Sequence, residues 1–224
     1  MLSVLIPAYN EEDIIAQTVK ASLQVQGVRQ VVVVDDGSQD ATAMKARDEG
    51  AEVIRLTKNR GKGEALNQGI PYLTQPFVAL LDGDLGTYAS QLDLLASPVL
   101  QGAADLSIAT FPHVKKSGGF GLVKGLARMG IYLLAGLRMD APLSGQRVMR
   151  REVLDVVAPF ASGYGVELAM TITAARRGFR IQEVPTTMSH RVTGRDLSGF
   201  QHRGKQFWHV FMTLCRTTWK EVNK

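Results

Sequence analysis

The sequence predicts an α/β fold in which a mainly parallel central sheet is flanked by helices within a single domain. Short apolar runs alternate with helical stretches through the first half of the 224-residue chain, and this alternation is typical of stacked βαβ units. Hydrophobic residues make up 45% of the chain and charged residues 21%, which is ordinary for a globular protein. The length is sufficient to bury a sizeable core.

Five strands and four helices are predicted in the first half. The strands are Ser3–Pro7, Gln30–Asp35, Glu52–Arg55, Phe77–Leu81 and Asp105–Thr110. The helices are about Glu12–Ser22, Ala41–Asp48, Gly63–Ile70 and Gln91–Leu95. In such a sheet the ligand binds beyond the carboxyl ends of the strands, where polar residues follow several of these runs.

The second half is less regular. A loop is predicted around 113–121, followed by the helix Phe120–Leu137, the strand Gln146–Met149, the helices Arg151–Val157 and Val166–Arg177, and the strand Arg180–Val184. The tail shows a helical period of apolar residues. We therefore expect a catalytic domain over 1–198, with halves 1–112 and 113–198, and a C-terminal amphipathic helical extension over 199–224.

The distribution of charge indicates an anionic partner. Residues 1–112 carry 8 Lys and Arg against 14 Asp and Glu, whereas residues 113–224 carry 18 against 7. A basic half of this kind suits a phosphorylated substrate or a negatively charged membrane surface. We expect no nucleic-acid partner, because the basic residues form no recognised nucleic-acid-binding motif.

The only cysteine, Cys215, excludes an intramolecular disulfide and fits a reducing compartment. The N-terminus lacks the features of a signal peptide. We therefore expect a cytoplasmic protein, with peripheral contact at the inner face of the membrane left open.

The most informative motif is Asp82-Gly83-Asp84 at the end of an apolar run. Residues i and i+2 of an extended backbone project to the same face, so the two carboxylates are expected to converge on one cation. Hard oxygen ligands suit Mg²⁺ or Mn²⁺. The alternative is a turn that merely ends a strand.

Four segments in this order resemble the family 2 glycosyltransferases: 6–12 (IPAYNEE), 33–40 (VVDDGSQD), 59–63 (NRGKG) and 81–84 (LDGD). A thinner similarity continues through 143–147, 163–168 and 183–185 to His190-Arg191. The resemblance implies a glycosyltransferase A fold with a Rossmann-like nucleotide-binding half. It also implies a nucleotide-diphospho-sugar donor, expected to be a UDP-sugar, and a Mn²⁺ or Mg²⁺ cofactor.

The resemblance also implies a set of donor-binding residues: Pro7, Ala8, Tyr9, Glu11, Asp36, Gly61, Lys62, Asp82 and Gly83. Asp36 is expected to accept the imide N–H of uracil. Gly61 and Lys62 are expected to approach the diphosphate at a helix start. Each segment has a simpler interpretation as an ordinary turn or helix start.

The resemblance further implies that Asp84 and His190 bind the metal, with Asp82 acting through the metal or the donor. Without the resemblance, a lone histidine is more often a surface residue or a satisfied core residue. A histidine beside two carboxylates favours Mn²⁺ over Mg²⁺. Arg191 and Arg195 are expected to hold phosphate, or else to form a solvated face.

Glu167 stands where inverting relatives carry an acidic base, although a structural role at a helix start is an equal alternative. Ser144 and Gly145, with Gln146 and Arg147, are expected to line the sugar or acceptor pocket.

The sequence resembles two subgroups of the family 2 glycosyltransferases, which differ in their acceptor. Some segments resemble polyprenyl-phosphate glycosyltransferases and others glucosyl-3-phosphoglycerate synthases, so the anomeric outcome stays open. Membrane contact and homodimer formation also stay open. The alternatives of another class are a sugar-phosphate nucleotidyltransferase and a non-catalytic sugar-nucleotide-binding or membrane-docking subunit.

Overall fold

The strands and helices follow the predicted α/β alternation. The computed structural model describes residues 1–111, 120–161 and 165–188. The strands are β1 (Leu2–Ala8), β2 (Val28–Asp35), β3 (Glu52–Arg55), β4 (Phe77–Leu80), β5 (Leu106–Thr110), β6 (Arg147–Arg150) and β7 (Ile181–Pro185). The α-helices are α1 (Ile15–Leu23), α2 (Thr42–Asp48), α3 (Lys62–Gly69), α4 (Leu92–Leu100), α5 (Phe120–Ala135), α6 (Arg151–Val157) and α7 (Val166–Arg176).

Two helix boundaries differ from the prediction for physical reasons. Helix α1 begins at Ile15, after a turn in which the N–H groups of Ile14 and Ile15 donate to Glu11 O, while those of Glu11 and Glu12 donate to Thr42 Oγ1 and Asp40 Oδ2. Helix α4 continues to Leu100 through Pro98, a residue that disfavours helix interiors. Its Leu92, Leu95, Ala96 and Val99 are all buried.

The order of the strands creates a crevice at the predicted site. Within the described residues, the sheet has the order β3-β2-β1-β4-β6-β5-β7. Strand β6 runs antiparallel to β4 and β5, and the other neighbours pair in parallel. The chain passes from β3 at one edge to β4 on the far side of β1. Ligands of open α/β sheets bind at such a switch point, which here lies between the carboxyl ends of β1 and β4.

Both faces of the sheet are buried. Val31 and Val33 of β2 belong to one hydrophobic cluster, which includes residues of α1, α2 and α4. Val32 and Val34 belong to a second cluster on the other face, with residues of α3, α5, α6 and α7. Burial on two faces explains why the central strand β2 contains a continuous apolar run rather than an alternating one, and the two-sided sheet confirms the predicted fold class.

The sheet edge opposite the site is held by a carboxylate, Asp105, just before β5. Its oxygens accept from Arg180 Nε and Nη2 at 3.0 and 2.9 Å and from Arg150 Nη1 at 3.2 Å. The hydrogen bonds from Arg180, with those from Arg150, outweigh burial and hold the pKa of Asp105 well below its usual value. This cluster joins the starts of β5 and β7 to the end of β6.

In the parts of the chain that the structure describes, no helix is long and apolar enough to cross a membrane. The predicted C-terminal extension, 199–224, lies outside the described residues, and the predicted helix after residue 120 corresponds to α5. The domain limits proposed from the sequence stay a prediction.

Candidate active site

The residues predicted to bind the donor surround one cavity of about 300 Å³. It opens at the carboxyl ends of β1 and β4. Its lining is formed by Pro7, Ala8, Tyr9, Glu11, Asp36, Asn59, Gly61, Lys62, Ala65, Asp82, Gly83 and Asp84. All nine predicted donor-binding positions are in this set, together with Asp84. Asn59 and Ala65 also line the cavity and were not predicted as site residues, although Asn59 lies in the 59–63 segment.

The Asp82-Gly83-Asp84 segment is a turn rather than extended backbone, because β4 ends at Leu80. Thr18 of α1 stabilises this turn through two hydrogen bonds of its side chain. Its buried hydroxyl donates to Gly83 O at 2.8 Å and accepts from Gly86 N at 2.8 Å. The argument from a shared strand face is therefore wrong, and both carboxylates reach the cavity through the geometry of the turn.

Lys62 joins carboxylates from two halves of the chain. Its Nζ lies 2.7 Å from Asp82 Oδ1 and 2.8 Å from Glu167 Oε1. Burial alone lowers the pKa of the Lys62 ammonium, but the charges of Asp82 and Glu167 and the hydrogen bonds they accept raise it well above its usual value. Lys62 is therefore a fixed cation at the start of α3 and not a solvated side chain of a flexible turn.

Gly145 packs directly against this cluster. A Cβ atom at this position would lie 2.6 Å from Lys62 Nζ and 2.7 Å from Asp82 Oδ2. The next residue, Gln146, donates from Nε2 to Asp82 Oδ2 at 3.1 Å. The close approach at Gly145 is therefore one of backbone to charged side-chain ends, and any Cβ here would displace the ends of Lys62 or Asp82. The sequence placed Gln146 in a pocket-lining motif but did not indicate its contact with Asp82.

Asp36 holds the loop that precedes α3. Its two oxygens accept the N–H groups of Arg60 and Gly61 at 2.8 and 2.7 Å, and only 4% of the residue is exposed. Gly37 allows the close approach of this loop, because its φ is +77° and a Cβ there would lie 2.6 Å from the carbonyl carbon of Lys58. The predicted contact of Asp36 with a base stays a prediction beside this observed structural role.

The loop after β1 is fixed to the loop after β2. Asn10 has a φ of 55°, and its N–H donates to Ser38 Oγ at 2.9 Å. Its side-chain oxygen accepts from Gln39 N at 3.0 Å. Tyr9, by contrast, is 42% exposed. The cavity therefore has a rigid wall with one aromatic ring available for stacking.

The predicted acceptor side depends on a buried guanidinium. Arg147 is fully buried, so it does not line the pocket as its motif suggested. It donates from Nε to Ser144 O and from Nη1 to Thr171 Oγ1, both at 2.9 Å. Burial lowers its pKa to about 10, against the opposing charges of Glu167 and Glu183, so the group is charged at neutral pH.

Glu183 of β7 orders the loop that leads to Ser144. Its carboxylate accepts from the N–H groups of Asp140 and Ala141 at 2.8 and 2.6 Å. The hydroxyl of Ser144 is buried and has no hydrogen-bond partner within the described chain. Neither Ser144 nor Gly145 belongs to the lining of the cavity at the carboxyl ends of β1 and β4.

Three predicted site residues, His190, Arg191 and Arg195, lie outside the described residues. Over the ranges that the structure describes, no three His, Cys, Asp or Glu side chains form a cluster able to hold a metal. The described donors for a cation are thus the two carboxylates of the Asp82–Asp84 turn.

Comparison with known proteins agrees with this geometry. The model of the family "Glycosyl transferase family 2" matches residues 3–158. Uncharacterized protein MJ1222 of Methanocaldococcus jannaschii is 33% identical over 81% of this chain and 79% of its own. Glycosyltransferase AglJ of Haloferax volcanii is 30% identical over 86% of this chain, and glucosyl-3-phosphoglycerate synthase of Mycobacterium tuberculosis is 32% identical over 76%. The matches span 64% and 60% of these last two proteins.

The fold is shared with solved structures of the same mycobacterial synthase. Its complex with Mn²⁺, UDP-glucose and phosphoglyceric acid superposes with a TM-score of 0.78 at 30% identity, covering 96% of this chain and 78% of that chain. Its complex with Mg²⁺ and UDP gives 0.76 at 29% identity, with the same coverage. Because the family model spans more than half of the sequence, the chain belongs to glycosyl transferase family 2.

Proposed function

We propose that this protein is a metal-dependent glycosyltransferase that moves a sugar from a UDP-sugar to a phosphorylated acceptor. The observation that carries the proposal is the Asp82–Asp84 turn, which opens into a cavity between the carboxyl ends of β1 and β4. The mycobacterial synthase of the same fold binds UDP-glucose and phosphoglyceric acid with Mn²⁺. The turn after β1 also favours glycosyl transfer over nucleotidyl transfer, because it lacks the Gly-rich, Arg-bearing loop expected there.

The residues of the cavity fit a divalent cation. The carboxylates of Asp82 and Asp84 supply the hard oxygen donors that Mn²⁺ and Mg²⁺ prefer, and both line the cavity. We assign Asp84 and His190 as ligands, with Asp82 as a support. A bound cation would neutralise charge on the leaving nucleoside diphosphate.

The donor is expected to lie across the described wall of the cavity. Tyr9 and Pro7 would contact the base, Glu11 the ribose or base, and Asp36 the uracil imide. Gly61, whose N–H is already held by Asp36, keeps the backbone close to the diphosphate at the start of α3. Lys62 adds a fixed positive charge beside Asp82.

In the transfer step, the bond between the anomeric carbon and the diphosphate oxygen breaks, and an acceptor oxygen forms the new bond. Glu167 lies next to this region, because its carboxylate forms an ion pair with Lys62, which lines the cavity. We propose that Glu167 takes the proton of a hydroxyl acceptor, while an ionised phosphate acceptor requires no such base. Ser144, Gly145, Arg191 and Arg195 are the proposed acceptor-binding residues.

The cellular location of the protein, its contact with a membrane and its assembly into a homodimer stay predictions. Helix α5 exposes Met129, Tyr132 and Leu133, which are 56%, 49% and 71% exposed. These side chains are compatible with peripheral membrane contact and with a homodimer, and a cytoplasmic location is expected from the sequence.

The test is turnover. Release of UDP from UDP-glucose is measured with Mn²⁺ and 3-phosphoglycerate for the wild type, for Asp84→Asn and for the exposed control Asp48→Asn. We expect turnover in the wild type and the control, and a loss of at least about 100-fold in Asp84→Asn. Equal turnover in Asp84→Asn would contradict the metal assignment. No turnover with any UDP-, GDP- or ADP-sugar would contradict the enzyme assignment.

A further inference from the structure

Arg147 is a buried cation that stability alone does not explain. Among the described residues it is the largest side chain that is fully buried, with 0% of its surface exposed. One of its terminal nitrogens, Nη2, has no hydrogen-bond partner in the described part of the chain. A buried charge with incomplete pairing is costly, and apolar side chains of similar volume often replace such groups without loss of stability. Positions that break a packing rule in this way are frequently functional.

The first contact of Arg147 fixes the turn that carries Gly145. Nε donates to Ser144 O at 2.9 Å, so the side chain folds back on its own loop. The following residue, Gly145, lies against Lys62 Nζ and Asp82 Oδ2. The position of Ser144 therefore determines how closely this backbone approaches the Lys62–Asp82 ion pair.

The second contact leads to Glu167. Nη1 donates to Thr171 Oγ1 at 2.9 Å, and the same hydroxyl donates to Glu167 O at 2.9 Å. Thr171 is fully buried one turn after Glu167 in α7. The hydroxyl of Thr171 thus links Arg147 to the backbone of Glu167, whose carboxylate is the second one that binds Lys62.

We propose that Arg147 is a positioning residue that holds both carboxylate partners of Lys62 in place, through the Gly145 turn on one side and Thr171 on the other. It does not contact the cavity. The effect on catalysis rests on the proposed function, whereas the effect on the ion pairs of Lys62 does not.

The direct test measures Lys62 rather than activity. Acetylation of Lys62 by acetic anhydride is followed by peptide mass spectrometry relative to the exposed Lys20. In Arg147→Met we expect the ratio to rise roughly tenfold, because a hydrogen bond to a charged group is worth about this factor or more. Thr171→Val keeps the arginine and breaks only the second contact, so it should raise the ratio in the same direction.

Ser3→Ala is the matched control. Ser3 is fully buried at the start of β1, at the end of the strand away from the cluster, and its hydroxyl donates to Gln30 Oε1 at 2.6 Å and accepts from Gln75 N at 3.2 Å. Its loss should lower the melting temperature without changing the labelling ratio. Wild-type ratios in both Arg147→Met and Thr171→Val would overturn the proposal. If Arg147→Met does not fold, Thr171→Val decides the question.

Turnover supplies the second readout. With the wild type active, Arg147→Met should lose about 100-fold in kcat, the scale of a 1 Å misplacement in a site, with the KM for UDP-glucose nearly unchanged. Arg147→Lys should recover part of the loss. Full kcat in Arg147→Met would also overturn the positioning role, whereas an inactive wild type would count against the proposed function and leave the labelling result standing.

Discussion

Lys62 Nζ donates a 2.8 Å hydrogen bond to Glu167 Oε1 across 105 residues of sequence. The bond connects the start of α3, in the half that carries the proposed donor-binding residues, to the start of α7, in the half proposed to bind the acceptor. Because Lys62 also binds Asp82 at 2.7 Å, one cation forms ion pairs with carboxylates from both halves.

Replacement of Lys62 should disable the site while leaving the fold intact. In Lys62→Met, Asp82 and Glu167 lose their shared cation and repel each other. We expect kcat/KM for UDP-glucose to fall at least about 100-fold, on the scale of a lost preorganised electrostatic contact. The surface variant Lys20→Met is the control and should keep full activity. Wild-type kinetics in Lys62→Met would show that the cluster has no part in turnover.

Gly145→Ala tests the close approach at the same cluster. The added methyl group would lie 2.6 Å from Lys62 Nζ and 2.7 Å from Asp82 Oδ2, so the ends of these side chains must shift away from residue 145, and we expect the shift to disturb their ion pair. We expect turnover to drop by about tenfold or more, since each lost charged hydrogen bond is worth roughly 1.5–3 kcal/mol.

Gly125→Ala provides the comparison for that variant. Gly125 is an α5 residue at which a Cβ meets no atom within 4 Å. Alanine there should leave turnover unchanged and stabilise the protein by about 0.5–1 kcal/mol. Equal turnover in both glycine variants would remove the argument that Gly145 is required for the ion pair.

Asp36→Asn should weaken donor binding more than it slows the transfer step. The substitution replaces one of the two oxygens that accept from Arg60 N and Gly61 N with an amide nitrogen. The loop before α3 then loses part of its support. The KM for UDP-glucose should rise roughly tenfold, with a smaller change in kcat. Initial-rate kinetics, with Asp48→Asn as the control, measure the KM of each variant. An unchanged KM in Asp36→Asn would contradict the proposed role of Asp36 in donor binding.

The Asp105 cluster predicts a pH dependence of stability that is separate from the site. The pKa of Asp105 is lower in the folded state than in the unfolded state, because Arg180 and Arg150 hydrogen-bond its charged form. Its contribution is therefore complete above about pH 4, the unfolded value, and is lost as the pH falls through the lower folded value.

Urea unfolding at several pH values measures this contribution. Asp105→Asn should lower the free energy of unfolding at pH 7 by about 2 kcal/mol, and the difference from the wild type should shrink below about pH 4. Asp93→Asn, an exposed carboxylate on α4, should show no such difference. A constant gap from pH 7 to pH 3 would mean that Asp105 does not stabilise the fold through its charge.

Local patterns predicted the strands because burial on both faces leaves a clear signature. Successive residues of the run Val31–Val34 belong alternately to the two hydrophobic clusters on opposite faces of the sheet. Such a run is visible in the sequence itself. The residues predicted to bind the donor follow strand ends in segments that resemble a known family, and in the structure they surround one cavity. Their role in donor binding stays a prediction.

Contacts between distant segments were not predictable in the same way. No pattern in the sequence indicated that Lys62 pairs with Glu167, that Asp36 accepts two loop N–H groups, or that Arg147 is buried. Each depends on packing between elements far apart in the chain, where neither spacing nor periodicity carries information. The roles assigned to His190, Arg191 and Arg195 still rest on the family resemblance.

The most direct test of the proposed function is calorimetric titration of the wild-type protein with UDP-glucose, first with Mn²⁺ and then with EDTA. We predict binding in Mn²⁺ that is weakened at least about 100-fold in EDTA, since the carboxylates of Asp82 and Asp84 would face the diphosphate without a bridging cation. Equal affinity in the two buffers, or no binding in either, would contradict a metal-dependent UDP-sugar site at the Asp82–Asp84 turn.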